Sequence, residues 1–277
     1  MKKILNLIVL ILLTITSMLI FKSTNKVDAA TTIKAGKWYQ AEVCQTTGIQ
    51  YNYKVPSSGY FYYEIVPEKG YYQDEETGEW WETKFDEHFC CIDTGLGGWR
   101  QSATEDIRDF RGGVGVDTVW EKYESNKYSV KPGKKVILFF NNGTRNKYVK
   151  MQFRFRVVYK KIKNFEKENN DSLKKTNIIK KGKVYTGVLI PGEEDWFTFK
   201  SSKTKKYKIK VKLTENLDNN EVEAGICRGK AYIGRKLVYP QNGWKTVFLG
   251  KIKKGQTVSV RLIKYYNKSA MYKLKAQ

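Results

Sequence analysis

The chain is 277 residues long and strongly basic, with 51 Lys and Arg against 28 Asp and Glu and a formal net charge of +23. Aromatic residues make up 14% of it, which supplies ample apolar material for folded cores and argues against disorder. The single histidine excludes most histidine-based chemistry, and the length favours two domains over one.

The N-terminus has the residue order typical of a secretory signal. Lys2 and Lys3 precede an apolar run from Ile4 to Phe21, and small residues follow around Ala29. The run falls just short of the ~20 residues that span a bilayer, so we expect cleavage near Ala29, with a retained membrane anchor as the alternative. We therefore assign 1–30 to a signal peptide and predict a secreted or cell-surface protein.

An internal repeat defines the predicted architecture. The segment Ile33–Tyr39 matches Ile179–Tyr185, and Lys131–Leu138 matches Lys253–Val260. Apolar residues alternate with polar ones along both halves, and turn residues separate the alternating runs, as in antiparallel sheets. Two copies of one β-sandwich explain the repeat better than a single large fold. We predict an all-β chain with sandwiches at 31–160 and 161–277.

The first half contains an insertion, about 68–121, that has no counterpart in the second half. Its stretch 71–88 is rich in acidic residues, and five rings are interleaved with them: Tyr71, Tyr72, Trp80, Trp81 and Phe85. Adjacent strand residues point to opposite faces, so Trp80 and Trp81 cannot both be buried. We predict that these rings bind a sugar. Three alternatives are a solvated hairpin packed on the sandwich, a segment that docks on the basic second half, and a hydrolase that uses paired carboxylates.

The four cysteines have no metal-finger spacing, and export permits disulfides. We expect Cys44 to pair with Cys90 or Cys91, although spacing does not choose between the pairings. His88 shares a strand face with Cys90, but neighbours on one strand rarely have the geometry of a nucleophile and its base. We therefore predict no catalytic residue.

Acidic and amide side chains are concentrated just after the boundary between the two halves. Glu166, Glu168, Asn170 and Asp171 offer oxygen ligands within six residues, and Asp195 opens a later strand that the repeat places beside them. Calcium takes six to eight oxygen ligands, many of them from carboxylates. The pattern predicts a structural calcium site, with an ordinary acidic linker as the alternative.

Most of the excess positive charge lies in the second half. There, Lys208, Lys210 and Lys212 alternate with apolar residues from Tyr207 to Leu213, which predicts a strand with one buried and one basic face. Outside the cell, anionic wall polymers, acidic glycans or a membrane surface are more plausible partners than nucleic acid. The alternative is that these lysines only solvate the strand or protect a sheet edge.

The second half resembles the bacterial pre-peptidase C-terminal domain family over about residues 165–277. The resemblance rests on the lead-in Glu168–Asp171, the strand Ile179–Gly187 with its small Gly187, the strand Asp195–Phe199 and the later Lys253–Val260. It implies a jelly-roll-like, non-catalytic accessory sandwich. It also implies calcium ligands at Glu166, Glu168, Asn170, Asp171 and Asp195, although the run Glu193–Asp195 departs from the family's paired Asp.

Together these observations predict two tandem jelly-roll-like antiparallel β-sandwiches after a signal peptide. We expect a secreted, non-catalytic module that binds an extracellular glycan, wall polymer or protein, with a structural calcium ion. The alternatives are an interaction subunit of a surface assembly and a hydrolase that uses carboxylates of 71–121.

Overall fold

The computed structural model describes residues 31–44, 48–85, 90–97, 117–144, 147–214, 221–265 and 268–277. The predicted signal peptide, His88 and much of the insertion lie outside the described residues. Within the described ranges, no helix is both long and apolar enough to cross a membrane.

Strands dominate the described residues, and two single-turn 3-10 helices, Leu173–Lys175 and Pro240–Asn242, interrupt them. The strands are β1 (Thr31–Ile33), β2 (Tyr39–Cys44), β3 (Ile49–Lys54), β4 (Gly59–Gln73), β5 (Trp80–Thr83), β6 (Ile92–Gly97), β7 (Asp117–Val119), β8 (Tyr123–Glu124), β9 (Tyr128–Ser129), β10 (Lys135–Asn142), β11 (Val149–Lys161), β12 (Asn177–Ile179), β13 (Val184–Leu189), β14 (Glu194–Lys200), β15 (Lys205–Leu213), β16 (Val222–Arg228), β17 (Ala231–Val238), β18 (Lys245–Ile252), β19 (Thr257–Ile263) and β20 (Ala270–Ala276).

The second half forms a sandwich of two sheets, with strand orders β12-β14-β19-β16-β17 and β13-β20-β15-β18. The chain crosses repeatedly between the sheets, so most neighbours within a sheet are distant in sequence. This is the connectivity of a jelly roll. The short β12 pairs in parallel with β14, whereas the other pairings between named strands of this sandwich are antiparallel.

The first half repeats this connectivity, with sheets ordered β1-β3-β10-β6-β7 and β2-β11-β4-β5. The short β8 and β9 also pair with β4 and take the place that β18 has in the second half. The predicted insertion begins as an extension of β4 and returns as β5. The prediction of two tandem jelly-roll-like β-sandwiches is confirmed.

The repeated turn after the first strand of each half has the same backbone conformation. Gly36 and Gly182 have φ values of +81° and +79°, in the left-handed region that glycine adopts without a Cβ clash. A glycine at this position therefore turns the chain into the second strand of each sandwich.

Residues Thr32–Gln277 form one compact unit that contains two hydrophobic cores. The first core is rich in aromatic rings, with Phe140 in contact with Phe153 and Phe155. The halves also join directly, because Ile190 of the second half belongs to the first core. At the same junction Ser269 N donates to Asn126 Oδ1 at 2.8 Å.

The structure contains no disulfide among the four cysteines, all of which are described, so the predicted bridge from Cys44 to Cys90 or Cys91 is absent. The physical reason is the pleat. Cys44 pairs across the sheet with Lys150, whereas Cys90 is buried in the first core beside Gly70. Lys150 and Gly70 belong to opposite faces of that sheet, because Gly70 lies opposite Met151.

The alternation along β15 predicts that substitutions at neighbouring positions change the free energy of unfolding by very different amounts. Replacing the fully buried Ile209 with Ala is expected to lower the free energy of unfolding by about 2–5 kcal/mol, because a cavity opens in the second core. Replacing the exposed Lys208 with Ala should change it by less than about 0.5 kcal/mol. Urea unfolding of the two variants measures both values, and equal losses would contradict the assigned faces.

Candidate functional site

Three carboxyl groups meet where the two sandwiches join. Glu166 and Glu168 belong to the segment that leads into the second sandwich, and Asp195 belongs to β14. One oxygen from each lies within 4.8 Å of the others. Glu166 and Asp195 are buried, whereas Glu168 is half-buried. The structure thus brings together three of the five predicted calcium ligands, from positions up to 29 residues apart in sequence.

Backbone hydrogen bonds hold the lead-in segment in place. Glu166 N donates to Thr186 O of β13 at 2.8 Å, and Trp196 N of β14 donates to Asn170 O at 2.8 Å. The segment therefore contacts one strand from each sheet of the second sandwich. Its acidic side chains are fixed by backbone pairing and do not depend on loop flexibility.

The hydroxyl group of Tyr272 lies between two of the carboxyl groups. It is within hydrogen-bond distance of Glu166 Oε2 and at 2.7 Å from Asp195 Oδ2, and Val188 N donates to Glu166 Oε1 at 2.8 Å. A phenol has one proton, so it can donate to only one of the two carboxylates. Without a cation, the other carboxyl group must carry a proton itself or repel the phenol oxygen.

Gly187 has no side chain, and this leaves room for the arrangement of Tyr272 and Glu166. A Cβ on Gly187 would come within 2.2 Å of the Tyr272 hydroxyl oxygen and 2.4 Å of Glu166 Oε2. Gly187 is not among the glycines with positive φ, so space and not backbone conformation requires glycine here. The small residue of β13 therefore forms one wall of the site.

Burial governs the acidity of the cluster. Burial raises the pKa of Glu166, and burial together with the neighbouring carboxylates raises the pKa of Glu168 and Asp195 well above the usual range. A carboxyl group whose pKa is raised by folding stabilises the fold below its unfolded pKa, and this contribution is lost as pH rises through the folded value. In the metal-free protein, the cluster therefore opposes folding more as pH rises towards neutrality.

The remaining two predicted ligands differ in environment. Asn170 is fully buried, and neither its Oδ1 nor its Nδ2 has a hydrogen-bond partner among the described residues. A buried amide without such partners is costly, so a cation that bound its oxygen would stabilise it. The structure does not bring Asp171 into the cluster, because its side chain is exposed and lies 3.5 Å from Lys175 Nζ.

The carboxyl cluster faces a cavity between the two sandwiches. The cavity has a volume of about 420 Å³, and Glu168 and Asp195 line it together with Ser129 and Lys131 of the first sandwich. Oxygens from a water or a second group have room to reach the cluster from this side. The donor set, oxygen only and largely carboxylate, is the kind that calcium prefers.

The predicted aromatic residues lie on the edge of the first sandwich. Trp80 and Trp81 are 39% and 60% exposed, which confirms that they are not both buried. Tyr71 lies on the same face as Trp80, and the ammonium of Lys150 lies 4.6 Å and 5.0 Å from the centres of the two rings. Tyr72 instead packs partly against the first core.

The predicted lysines follow the expected alternation. Lys208, Lys210 and Lys212 lie on the outer face of β15, and Tyr207, Ile209, Val211 and Leu213 are buried. β15 lies between β20 and β18, so it is not an edge strand. Protection of a sheet edge therefore does not explain these three lysines.

Sequence reasoning missed Tyr272 and Lys150. Tyr272 looks like an ordinary core residue of an alternating strand, and its partners lie 106 and 77 residues away in sequence. Lys150 carries no local signal, because strand pairing alone brings it to Tyr71. The small residue at Gly187 was visible as part of the family resemblance.

No protein-family model and no curated protein matches the chain. Among solved structures, similar chains include the CUB1-EGF-CUB2 domain of human MASP-1/3, with 10% identity over 87% of this chain and 99% of that chain and a TM-score of 0.20. Another is the CBM22-1-CBM22-2 tandem domain of Paenibacillus barcinonensis Xyn10C, with 8% identity, 88% and 92% coverage and a TM-score of 0.24.

A third similar structure is the M60 catalytic domain with the CBM51-1 and CBM51-2 domains of Clostridium perfringens ZmpB, with 7% identity, coverage of 88% and 34%, and a TM-score of 0.25. Identities and TM-scores at this level carry no argument about function.

The wall formed by Gly187 gives a testable consequence. Gly187→Ala is expected to lower the free energy of unfolding by about 1–3 kcal/mol, because the methyl group collides with Tyr272 and Glu166. Gly225→Ala in β16 is the matched control, since its Cβ would meet Tyr232 at an ordinary 3.4 Å. Urea unfolding distinguishes the two, and a Gly187→Ala variant as stable as the control would contradict the assigned packing.

Proposed function

We propose that this chain is an exported, non-catalytic binding module that holds a glycan on the outer face of its first sandwich and a structural calcium ion at the junction. The observation that carries the glycan part is the exposed Trp80 of β5, which shares a face with the Tyr71 ring and the Lys150 ammonium, whereas the exposed Trp81 points to the opposite face. Export is supported by the basic, apolar and small-residue order of 1–30.

The surroundings of these rings suit a sugar. Sugar rings present apolar C–H faces that pack on aromatic rings and hydroxyl groups that need hydrogen-bond partners. On the same sheet, Gln152 Nε2 donates to Glu42 Oε2 at 2.8 Å, and both residues line a shallow cavity of about 270 Å³ with Gln40 and Glu68. Exposed aromatic rings and charged side chains of both signs therefore lie on one outer surface of the first sandwich.

The acidic residues of the insertion support binding over hydrolysis. Asp74 Oδ1 accepts hydrogen bonds from the backbone N–H groups of Glu76 and Thr77, and these bonds lower its pKa. Glu82 pairs with Lys69 at 2.8 Å. A glycosidase acid needs a raised pKa and a partner carboxylate across the bond to be cleaved. Among the described carboxylates of the insertion, these two stabilise the hairpin and its neighbouring strand.

A calcium ion would balance the negative charge of the carboxyl groups at the junction between the two sandwiches. Glu166, Glu168 and Asp195 would hold it, and the Asn170 side chain offers an amide oxygen that has no hydrogen-bond partner in the described part of the chain. A bound divalent cation converts the repulsion among the carboxylates into attraction. The ion would then fix the segment between the two sandwiches.

A second candidate function is an interaction subunit of a surface assembly. The observation that favours it is β17, an edge strand whose Tyr232, Ile233 and Leu237 are all exposed. An edge strand with exposed apolar side chains is a site for pairing with another chain. Capture of a protein by the wild type but not by an Ile233→Lys variant would favour this candidate.

The glycan proposal predicts a selective loss at Trp80. In a glycan array or a wall-fraction pull-down, Trp80→Ala is expected to weaken glycan binding on the order of tenfold, because a stacking ring is removed. The free energy of unfolding should change by about 1 kcal/mol or less, since the ring is partly exposed and loses its contact with the Lys150 ammonium. Trp120→Ala, an exposed tryptophan next to β7, is the control. Equal retention by the Trp80 and Trp120 variants would count against this site.

The calcium proposal predicts metal-dependent stability. At millimolar calcium the full-length protein should gain about 1–2 kcal/mol over the chelated protein, as expected for an extracellular site with a Kd of about 0.1–1 mM. Thermal melting should shift upwards by a few degrees. Asp195→Asn should remove the shift. Identical wild-type melting curves with calcium and with chelator would exclude a stabilising site.

A further inference from the structure

The outer face of the sheet β13-β20-β15-β18 carries a continuous group of lysines, the lysine face. Its members are Lys206, Lys208, Lys210 and Lys212 of β15, Lys251 of β18, and Lys273 and Lys275 of β20. The residues that alternate with them on β15 and β20 are buried in the second core. The face is therefore carried by strands whose opposite side packs in the second core.

Strand register places lysines of this face directly opposite one another. Lys206 lies opposite Lys251, Lys210 opposite Lys275, and Lys212 opposite Lys273. Like charges in directly opposed positions destabilise a sheet. None of the four strands contains an Asp or Glu that could offset this repulsion. The arrangement costs stability, so an external anion is the natural partner.

The crowding of positive charge continues at the beginning of β15. Lys181 lowers the pKa of Lys205 below its usual range, through a hydrogen bond and through its own charge. Both lysines are exposed, so the effect comes from proximity more than from burial.

The dimensions of the face indicate the form of the partner. Alternate residues on a strand are about 7 Å apart, and neighbouring strands are about 5 Å apart. We infer that the lysine face binds a linear polyanion, a chain of repeated phosphate or carboxylate groups that lies across β20, β15 and β18. This inference is independent of the glycan site, because it concerns a different sandwich and a different chemistry.

Two other anionic partners fit the face less well. Single-stranded nucleic acids are held partly by aromatic rings that stack on the bases. The rings of these strands, Tyr185, Tyr207, Phe248 and Tyr272, pack towards the second core, and the nearby ring of Trp244, just before β18, already contacts the Lys275 ammonium at 4.2 Å. Membrane-surface binding normally adds inserted apolar side chains, and on these strands only Leu249 is a large exposed apolar residue.

The test compares two variants of the full-length protein with equal net charge. The face variant carries Lys210→Gln, Lys212→Gln and Lys273→Gln. The control variant carries Lys174→Gln, Lys200→Gln and Lys230→Gln, which replace exposed lysines outside the lysine face. Binding is titrated at several salt concentrations with linear polyphosphate, with polyglutamate of matched charge and with orthophosphate, and circular dichroism verifies the fold of each variant.

The face variant is expected to lose on the order of tenfold in affinity for at least one polymer and to have a shallower salt dependence, because fewer counterions are exchanged. The control variant should lose less than about twofold. Which polymer binds more tightly identifies the anionic group. Equal losses in both variants would overturn the inference. The inference would also be overturned if orthophosphate competed as well as the polymers at equal charge. It would be overturned too if phosphatidylglycerol vesicles or single-stranded DNA bound more tightly than the polymers.

Discussion

Three carboxyl groups share the space around the Tyr272 hydroxyl, where one proton faces two acceptors. This constraint links elements that are far apart in sequence: the segment between the sandwiches, β13 with its Gly187, β14 with Asp195, and the last strand β20. Burial makes the cluster costly when it is fully ionised. A proton or a cation must offset the charge, and the oxygen-only donor set suits a cation such as calcium.

The position of the cluster explains why it matters for the whole molecule. It faces a cavity lined by both sandwiches, next to the contacts that join Ser269 to Asn126 and Ile190 to the first core. Neutralising the cluster therefore stabilises the junction as well as the second sandwich. A calcium ion bound as proposed would hold the two sandwiches in a fixed arrangement and take no part in chemistry.

The two sandwiches share connectivity but carry different surfaces. The first has exposed rings and polar side chains of both signs around β5 and β11. The second has a sheet whose outer face is lined by opposed lysines. Residues on the outer faces of a sandwich do not pack into its core, so they can differ between two copies of one fold. One copy can therefore carry aromatic rings on its outer face and the other copy lysines.

Sequence alternation and the internal repeat were enough to predict the fold, because inward and outward residues repeat every second position in both halves. The alternation of Lys208 and Ile209 and the exposure at Trp80 followed from the same rule. Strand pairing between distant segments could not be predicted in this way. The opposition of Lys210 and Lys275, the contact of Lys150 with Trp80, and the role of Tyr272 all depend on register.

The same limit explains why the predicted disulfide of Cys44 is absent and why Asp171 lies apart from the cluster. Spacing in sequence made a disulfide plausible, but the pleat turns Cys44 to the outer face of its sheet, whereas Cys90 lies in the first core against the inner face of that sheet. Asp171 follows Asn170 directly, but its side chain is exposed and pairs with Lys175. The local sequence pattern thus identified the segment Glu166–Asp171 that contributes to the cluster. The direction of each side chain decides which of its residues reach the cluster.

Terbium luminescence is the most direct test that a cation binds at the cluster. Terbium replaces calcium at oxygen sites and emits when nearby aromatic rings are excited, and Tyr272 and Trp196 both adjoin Asp195. The account predicts sensitised emission from the full-length protein that calcium displaces, and little emission from the Asp195→Asn and Glu168→Gln variants. Emission that is absent from the wild type, or equal in the wild type and both variants, would contradict it.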